Sequence, residues 1–337
     1  MRFAFSIQKI GEAMLIGGLI CAGILFGTTG YPVITANVKI QHLSLTSLDG
    51  VPFTAAYITP QTNYTGKPLI VVCHGFASSY ENTVSIGVRL AQVGFPVIAP
   101  SFRGHTLSGG ASRLGKYEWQ EVSASINWVE THDTIVNTTN TGLIGTSMGA
   151  AIAMVAAAMD NRVKAVVEFS GFANLSSLIN ETLLRYFFGG FESLYSEVID
   201  FAPVAYLTSD KNFSLLILHG DADDIVPLSQ AIMLNNSALP DKEIMIFPGK
   251  KHDLVTKNEA FNYGFKWLCN KLNVAYPGDV DVSNAFSRLS TSYLGLLFIY
   301  VAIMGLSLLI GESMLRDEAY EKLHVEKPRI TKNFDLG

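Results

Sequence analysis

Apolar and polar positions divide the chain into three parts. No charged residue occurs from Ala13 to Val38, or again from Leu289 to Gly311. Each stretch is long enough to cross a bilayer, which takes about 20 apolar residues. Between them the pattern breaks into short segments. Leu43 and Leu45 before Asp49-Gly50, and Phe53, Ala55 and Tyr57 after it, alternate with polar positions and predict a β-hairpin over 40–60. Continuous apolar runs follow at 69–73, 95–100, 141–145, 163–169, 215–220 and 243–248, the form expected of strands buried on both faces. Helical patterns at 81–92, 117–132, 148–159, 229–234 and 258–272 separate these runs. Strand and helix in alternation predict an α/β fold with a doubly wound, mostly parallel sheet. The strandless stretch 174–210, rich in Leu, Phe and Tyr, is expected to form a small helical lid over one end of that sheet.

Composition sharpens the division. Only 16% of the 337 residues are charged, against about 25% in an ordinary soluble domain. The deficit falls in the two uncharged stretches, which the pattern assigns to transmembrane helices at 13–33 and 291–311. Arg2 and Lys9 precede the first, and Arg316, Lys322, Lys327, Arg329 and Lys332 follow the second. Only Lys39 and Arg288 flank the inner ends. The positive-inside bias therefore predicts a cytoplasmic N-terminus at 1–12 and a cytoplasmic tail at 312–337. The domain at 38–273 and its linker at 274–290 are then extracytoplasmic, and a localisation at the cell membrane follows. Asn-x-Ser/Thr sequons at Asn63, Asn137, Asn174, Asn180, Asn212 and Asn235 all fall in the central part. A cleaved signal peptide is the alternative for the first segment. A net charge of −5 without basic clusters excludes nucleic acid as a partner. Cys21, Cys73 and Cys269 are too few and too scattered for a disulfide framework and read as free thiols.

One motif carries chemistry. Gly145-Thr146-Ser147-Met148-Gly149 fits G-x-S-x-G, after an apolar strand and before the helical run AAIAMVAAAM. A sharp turn there lifts the serine hydroxyl off the sheet, and glycine two residues before and two after relieves the crowding. A serine hydroxyl needs a base within reach and an acid to orient that base. In chain order after Ser147, His252 stands in the loop behind the last strand, whereas His219 precedes the acidic loop and His324 lies in the predicted tail. The loop His219-Gly-Asp221-Ala-Asp223-Asp224-Ile-Val-Pro227 offers three carboxylates, and composition does not choose among them.

With these residues in place, the segment 40–272 resembles the serine hydrolases of the α/β-hydrolase superfamily: esterases, lipases, dienelactone-hydrolase-like enzymes and the catalytic domains of some serine peptidases. In those families the acidic loop reads H-G-x-x-D-x-x-V-P, which implies Asp223 as the acid, with Asp221 and Asp224 shaping the loop. The resemblance also implies an oxyanion hole of two backbone N–H groups, from Met148 after the nucleophile and from Phe76 in the Cys73-His74-Gly75-Phe76 loop. Arg103 and His74 are expected to be structural, with no metal and no cofactor. The implied activity is hydrolysis of a carboxylic ester or related acyl compound, with a small molecule, a lipid or a peptide as substrate. Two alternatives stay open: a small serine peptidase or aminopeptidase-like enzyme, for which Glu181, Glu192 and Glu197 near the lid are candidate amine receptors, and a non-catalytic binding module on the same fold.

Overall fold

In the computed structural model, residues 14–15, 37–76, 80–182, 196–283 and 306 are described. Of the two predicted membrane segments only residues 14–15 and 306 are among them, and the aromatic part of the expected lid at 183–195 lies outside them. Among the described residues no helix is long and apolar enough to cross a membrane.

The hairpin is formed by β1 (Val38–Thr46) and β2 (Pro52–Pro60), paired antiparallel about the Asp49-Gly50 turn. The apolar runs become β3 (Pro68–Cys73), β4 (Val97–Ser101), β5 (Asn137–Thr146), β6 (Val163–Phe169), β7 (Ser214–Gly220) and β8 (Lys242–Phe247). All eight join in one sheet of order β1-β2-β4-β3-β5-β6-β7-β8. Its last six strands are parallel and β2 joins β4 antiparallel. The crossover helices are α1 (Tyr80–Gln92), α2 (Trp119–His132), α3 (Met148–Met159), α4 (Leu175–Glu181), α5 (Leu228–Asn235) and α6 (Asn258–Lys271).

Continuous apolar runs are needed because each strand is covered twice. Ile70, Val72, Val97, Ile144, Val167 and Leu218 face α1 and α6, meeting Val88, Phe261, Phe265 and Leu268. The alternate residues Leu69, Val71, Ile98, Leu143, Val166 and Ile217 face α2, α3 and α5, meeting Ile126, Ile152 and Leu234. Each such side chain fully withdrawn from water contributes about 1.5–3 kcal/mol. Helix α3 is apolar all round, and every residue from Met148 to Ala158 is buried, so it runs through the interior instead of over the surface.

The crossing order sets the site. After β4 the chain passes back over β3 to begin β5, so the carboxyl ends of β3 and β5 flank the point where the winding reverses, the place where open α/β sheets bind ligands. Loops on that edge are tied down by buried polar groups. The Arg103 guanidinium, behind β4, binds both oxygens of Asp49 at 2.7 Å and Glu121 of α2 at 2.6 Å. Arg103 holds the Asp49 carboxyl down at about 2, while burial pushes Glu121 up to about 7 against the pull of the same guanidinium. Arg103 therefore binds two acids from neighbouring elements, a structural role of the kind expected of it. In the stretch expected to form a lid, α4 with Val198 and Phe201 packs on Ala151 and Val155 of α3 and on Leu114. Cys73 and Cys269 are buried free thiols, and Cys21 is outside the described residues.

Candidate active site

Ser147 stands between β5 and α3 with φ 53° and ψ −120°, a region that non-glycine residues rarely occupy. Its neighbours make that conformation possible. A Cβ on Gly145 would lie 2.4 Å from the Gly149 carbonyl oxygen, and one on Gly149 would lie 2.3 Å from that of Cys73. No side chain fits at either position. The Ser147 N–H donates to Phe169 O at 2.9 Å, pinning the turn to the end of β6. The Ser147 hydroxyl is half-buried, and among the described residues no hydrogen bond engages it.

The loops behind β7 and β8 are laced together. Ala222 N–H donates to Lys250 O at 3.1 Å, and Gly249 N–H donates to Asp221 Oδ1 at 2.6 Å. Buried Leu254 and Val255 anchor the far side of the second loop. This lacing brings His252 Nδ1 to 2.8 Å from Asp223 Oδ2. The other oxygen, Oδ1, accepts from the N–H groups of Ile225 at 3.0 Å and Val226 at 2.9 Å. Burial works to raise the Asp223 pKa, but the His252 hydrogen bond and these two N–H groups outweigh it and hold the carboxyl below its ordinary value. A carboxylate can only accept, so His252 Nδ1 carries the proton and Nε2 keeps a free lone pair. The imidazole is 20% exposed and the Asp223 side chain 0%.

Among the three acidic candidates, only Asp223 meets the imidazole. Asp221 caps Gly249 and Asp224 forms an exposed ion pair with Lys251 at 3.4 Å. His219 is fully buried, with Nε2 2.8 Å from Val226 O, so it is not a solvent-facing base. Ser147, Asp223 and His252 share the carboxyl edge of the sheet, behind β5, β7 and β8. Asp223 and His252 are in contact, whereas Ser147 is joined to neither by a hydrogen bond.

On the other side of Ser147, Gly75 brings the β3 loop against the serine. A Cβ there would stand 3.3 Å from Ser147 Cβ. Phe76 is the next residue, and Met148 opens α3, where the first N–H groups of a helix have no partner within it. His74 ties the β3 and β4 loops together: its Nδ1 donates to Gly75 O at 2.9 Å and its Nε2 accepts from Phe102 N–H at 3.0 Å. Burial pushes its pKa down to about 3, which fits a structural, neutral ring. Although His105 lies 4.9 Å from it ring to ring, no group of three metal-ligating side chains occurs among the described residues.

Three buried polar side chains nearby were not singled out by sequence: Glu168 near the end of β6, Ser170 just beyond it, and His219 in its actual setting. The available signal was a lone carboxylate, Glu168, directly after the apolar residues Ala165-Val166-Val167.

Comparison with known proteins agrees with this fold. The family described as "alpha/beta hydrolase fold" matches residues 68–202. An uncharacterised 31.7 kDa protein of Escherichia coli is 32% identical over 115 residues, which span 33% of this chain and 40% of that protein. Esterase YjfP of Escherichia coli is 27% identical over 206 residues, covering 56% of this chain and 82% of its own length. Among solved structures, the Pyrococcus furiosus esterase Pf2001 superposes with a TM-score of 0.56 at 20% identity, over 71% of this chain and 93% of the esterase. The Pyrococcus horikoshii acylaminoacyl peptidase gives 0.58 at 18% identity, over 74% of this chain and 44% of the peptidase. The chain is thus similar in fold, and over residues 68–202 in sequence, to α/β hydrolases, esterases and peptidases among them.

Proposed function

We propose that this chain is a membrane-anchored serine hydrolase that cleaves carboxylic esters or related acyl compounds through an acyl-enzyme on Ser147. His252 Nε2 takes the proton from Ser147 Oγ as the oxygen attacks the carbonyl carbon. The same proton then goes to the leaving group. Water activated by His252 releases the acid. Asp223 holds the ring and stabilises the imidazolium, while the N–H groups of Phe76 and Met148 receive the oxyanion. The observation that carries this reading is the His252–Asp223 hydrogen bond, made by an acid whose second oxygen is already satisfied by two backbone N–H groups. Such an acid cannot turn away from the ring.

The substrate carries an apolar acyl group in this reading. Phe76, Leu107 and Ile225, on the exit loops of β3, β4 and β7, are exposed at the same edge. An aminopeptidase draws less support. Glu181 already accepts from Ser177, Ser229 and Gln230, and Glu197 pairs with Arg113; Glu192 lies outside the described residues. The two uncharged segments and the flanking basic residues support tethering at the membrane with the domain on its outer face.

One experiment tests reaction and topology together. Intact cells carrying the chain are treated with a membrane-impermeant fluorophosphonate. Labelling that is abolished by Ser147→Ala is expected. Labelling only after lysis would overturn the extracytoplasmic placement, and none in either sample would overturn the reaction.

A further inference from the structure

Behind the His252–Asp223 pair lies a buried cluster that the reaction above does not use. Glu168 is the penultimate residue of β6, Ser170 the first beyond that strand, and His219 the penultimate residue of β7. All three are 0% exposed. Register pairs Glu168 with Ile217 and Phe169 with Leu218, and side chains alternate along a strand. Glu168 therefore shares a face with His219, the face that α3 covers. Ser170, whose N–H donates to Leu218 O at 3.0 Å, comes next to His219. It holds φ at 53°, the second serine in this strained region at the sheet edge after Ser147.

Each of the three has one polar atom without a partner: Glu168 Oε1, Ser170 Oγ and His219 Nδ1. An unpaired buried polar atom costs about 1–3 kcal/mol, so three together call for an explanation. Their hydrogen-bonding characters are complementary. Since the Val226 carbonyl can only accept, His219 Nε2 carries the ring proton, and Nδ1 of a neutral ring is an acceptor. Burial lowers the His219 pKa and keeps the ring neutral. Glu168 Oε2 accepts from Gly171 N–H at 2.7 Å, so a proton on this acid belongs on Oε1, as a donor. The serine hydroxyl can do either. A water shared by all three makes three hydrogen bonds, the usual number for a buried one.

We propose that Glu168, Ser170 and His219 form a neutral hydrogen-bonded relay, closed by one buried water, that positions Asp223 through the peptide group of Val226. The connection runs from Glu168 Oε1 and Ser170 Oγ through the shared water to His219 Nδ1, and from His219 Nε2–H to Val226 O. On the other side of that residue, Val226 N–H donates to Asp223 Oδ1. Glu168 is a positioning residue: it touches no substrate and acts on the acid loop. The proposal rests on the hydrolase reading for its kinetic effect alone. Burial, with a further push from the Asp223 charge, raises the Glu168 carboxyl to about 8 despite the Gly171 hydrogen bond. Around Glu168 the ionisable groups are His219 on β7, Asp223 on the loop behind it and His252 beyond; the first turn of α3 has no acidic residue. Ionisation of Glu168 removes the donor at the head of the relay and sets a second anion behind Asp223.

The test compares wild type with Glu168→Gln in the full chain, using p-nitrophenyl acetate from pH 6 to 10. Glutamine keeps a donor and cannot ionise. Wild-type kcat should fall at least about fivefold as pH rises through about 8, and Glu168→Gln should stay within about threefold of wild type at pH 7 and lose that decline. An unchanged alkaline decline in the variant, or a loss beyond about 100-fold at pH 7, overturns the proposal. Infrared difference spectroscopy of wild type against Glu168→Gln needs no turnover. A protonated-carboxyl band that the variant lacks should be present at pH 6 and vanish on titration through about 8. Its absence at pH 6 overturns the relay. If Ser147 is not labelled and no ester is hydrolysed, the hydrolase reading falls while the infrared titration still decides the relay.

Discussion

In His252→Ala, ester turnover falls by roughly 10⁴- to 10⁶-fold, with KM changed little. The reason is local. Among the described histidines at the carboxyl edge, His252 alone is held by a hydrogen bond to a carboxylate, whereas His219 Nε2 is committed to Val226 O and His74 is bonded through both nitrogens. Without the ring, no acid-oriented base among the described residues on that edge remains to take the Ser147 proton. The measurement is kcat and kcat/KM on p-nitrophenyl acetate, with circular dichroism as the check on folding. A loss below about tenfold would assign the proton to another base.

The second large effect is expected from Asp223→Asn, about 10⁴-fold in kcat. Asparagine matches the acid in shape, yet its amide group can present N–H to the ring and favour the tautomer that puts the imidazole proton on Nε2. The nitrogen that should accept from Ser147 is then a donor. Asp221→Asn and Asp224→Asn serve as controls, because their side chains cap Gly249 and pair with Lys251 at the surface. Each should stay within about threefold of wild type. Comparable losses in all three would mean that the loop as a whole, and no single carboxylate, supports turnover.

The contrast among these three acids marks where sequence stopped being informative. Ser147 was legible because its turn leaves a chemical trace: Gly145 and Gly149 sit where a Cβ would come within about 2.5 Å of the backbone. The sheet was legible for a similar reason, since strands covered by helices on both faces must be apolar without interruption. Strand β5 shows the limit. It begins at Asn137, before the apolar residues, because Asn137 still pairs with Pro68 of β3 and a register shift separates that pair from Ile70 and Gly142. No periodicity announces that extension. Asp221, Asp223 and Asp224 are indistinguishable as letters, and only family resemblance favoured the middle one. They differ in burial and in which N–H groups face them, and both depend on how the β7 and β8 loops cross. Glu168 illustrates the opposite failure. A carboxylate in a doubly covered strand is costly unless neutral or paired, so its position held information, but its partners Ser170 and His219 come from strand register.

The proposed membrane segments and the expected lid rest on the pattern of the sequence. The folded domain stands on geometry. Its central claim is spatial: the Ser147 hydroxyl, the His252 ring and the two N–H groups of Phe76 and Met148 converge on one reacting carbonyl. The most direct test is a crystal structure of the domain after fluorophosphonate treatment. The expected result is a phosphorus bonded to Ser147 Oγ, its oxygen about 3 Å from the N–H groups of both Phe76 and Met148, and His252 Nε2 about 3 Å from Oγ. An adduct on another residue, or a phosphonylated Ser147 with the His252 ring turned away and the oxygen pointing into solvent, would contradict it.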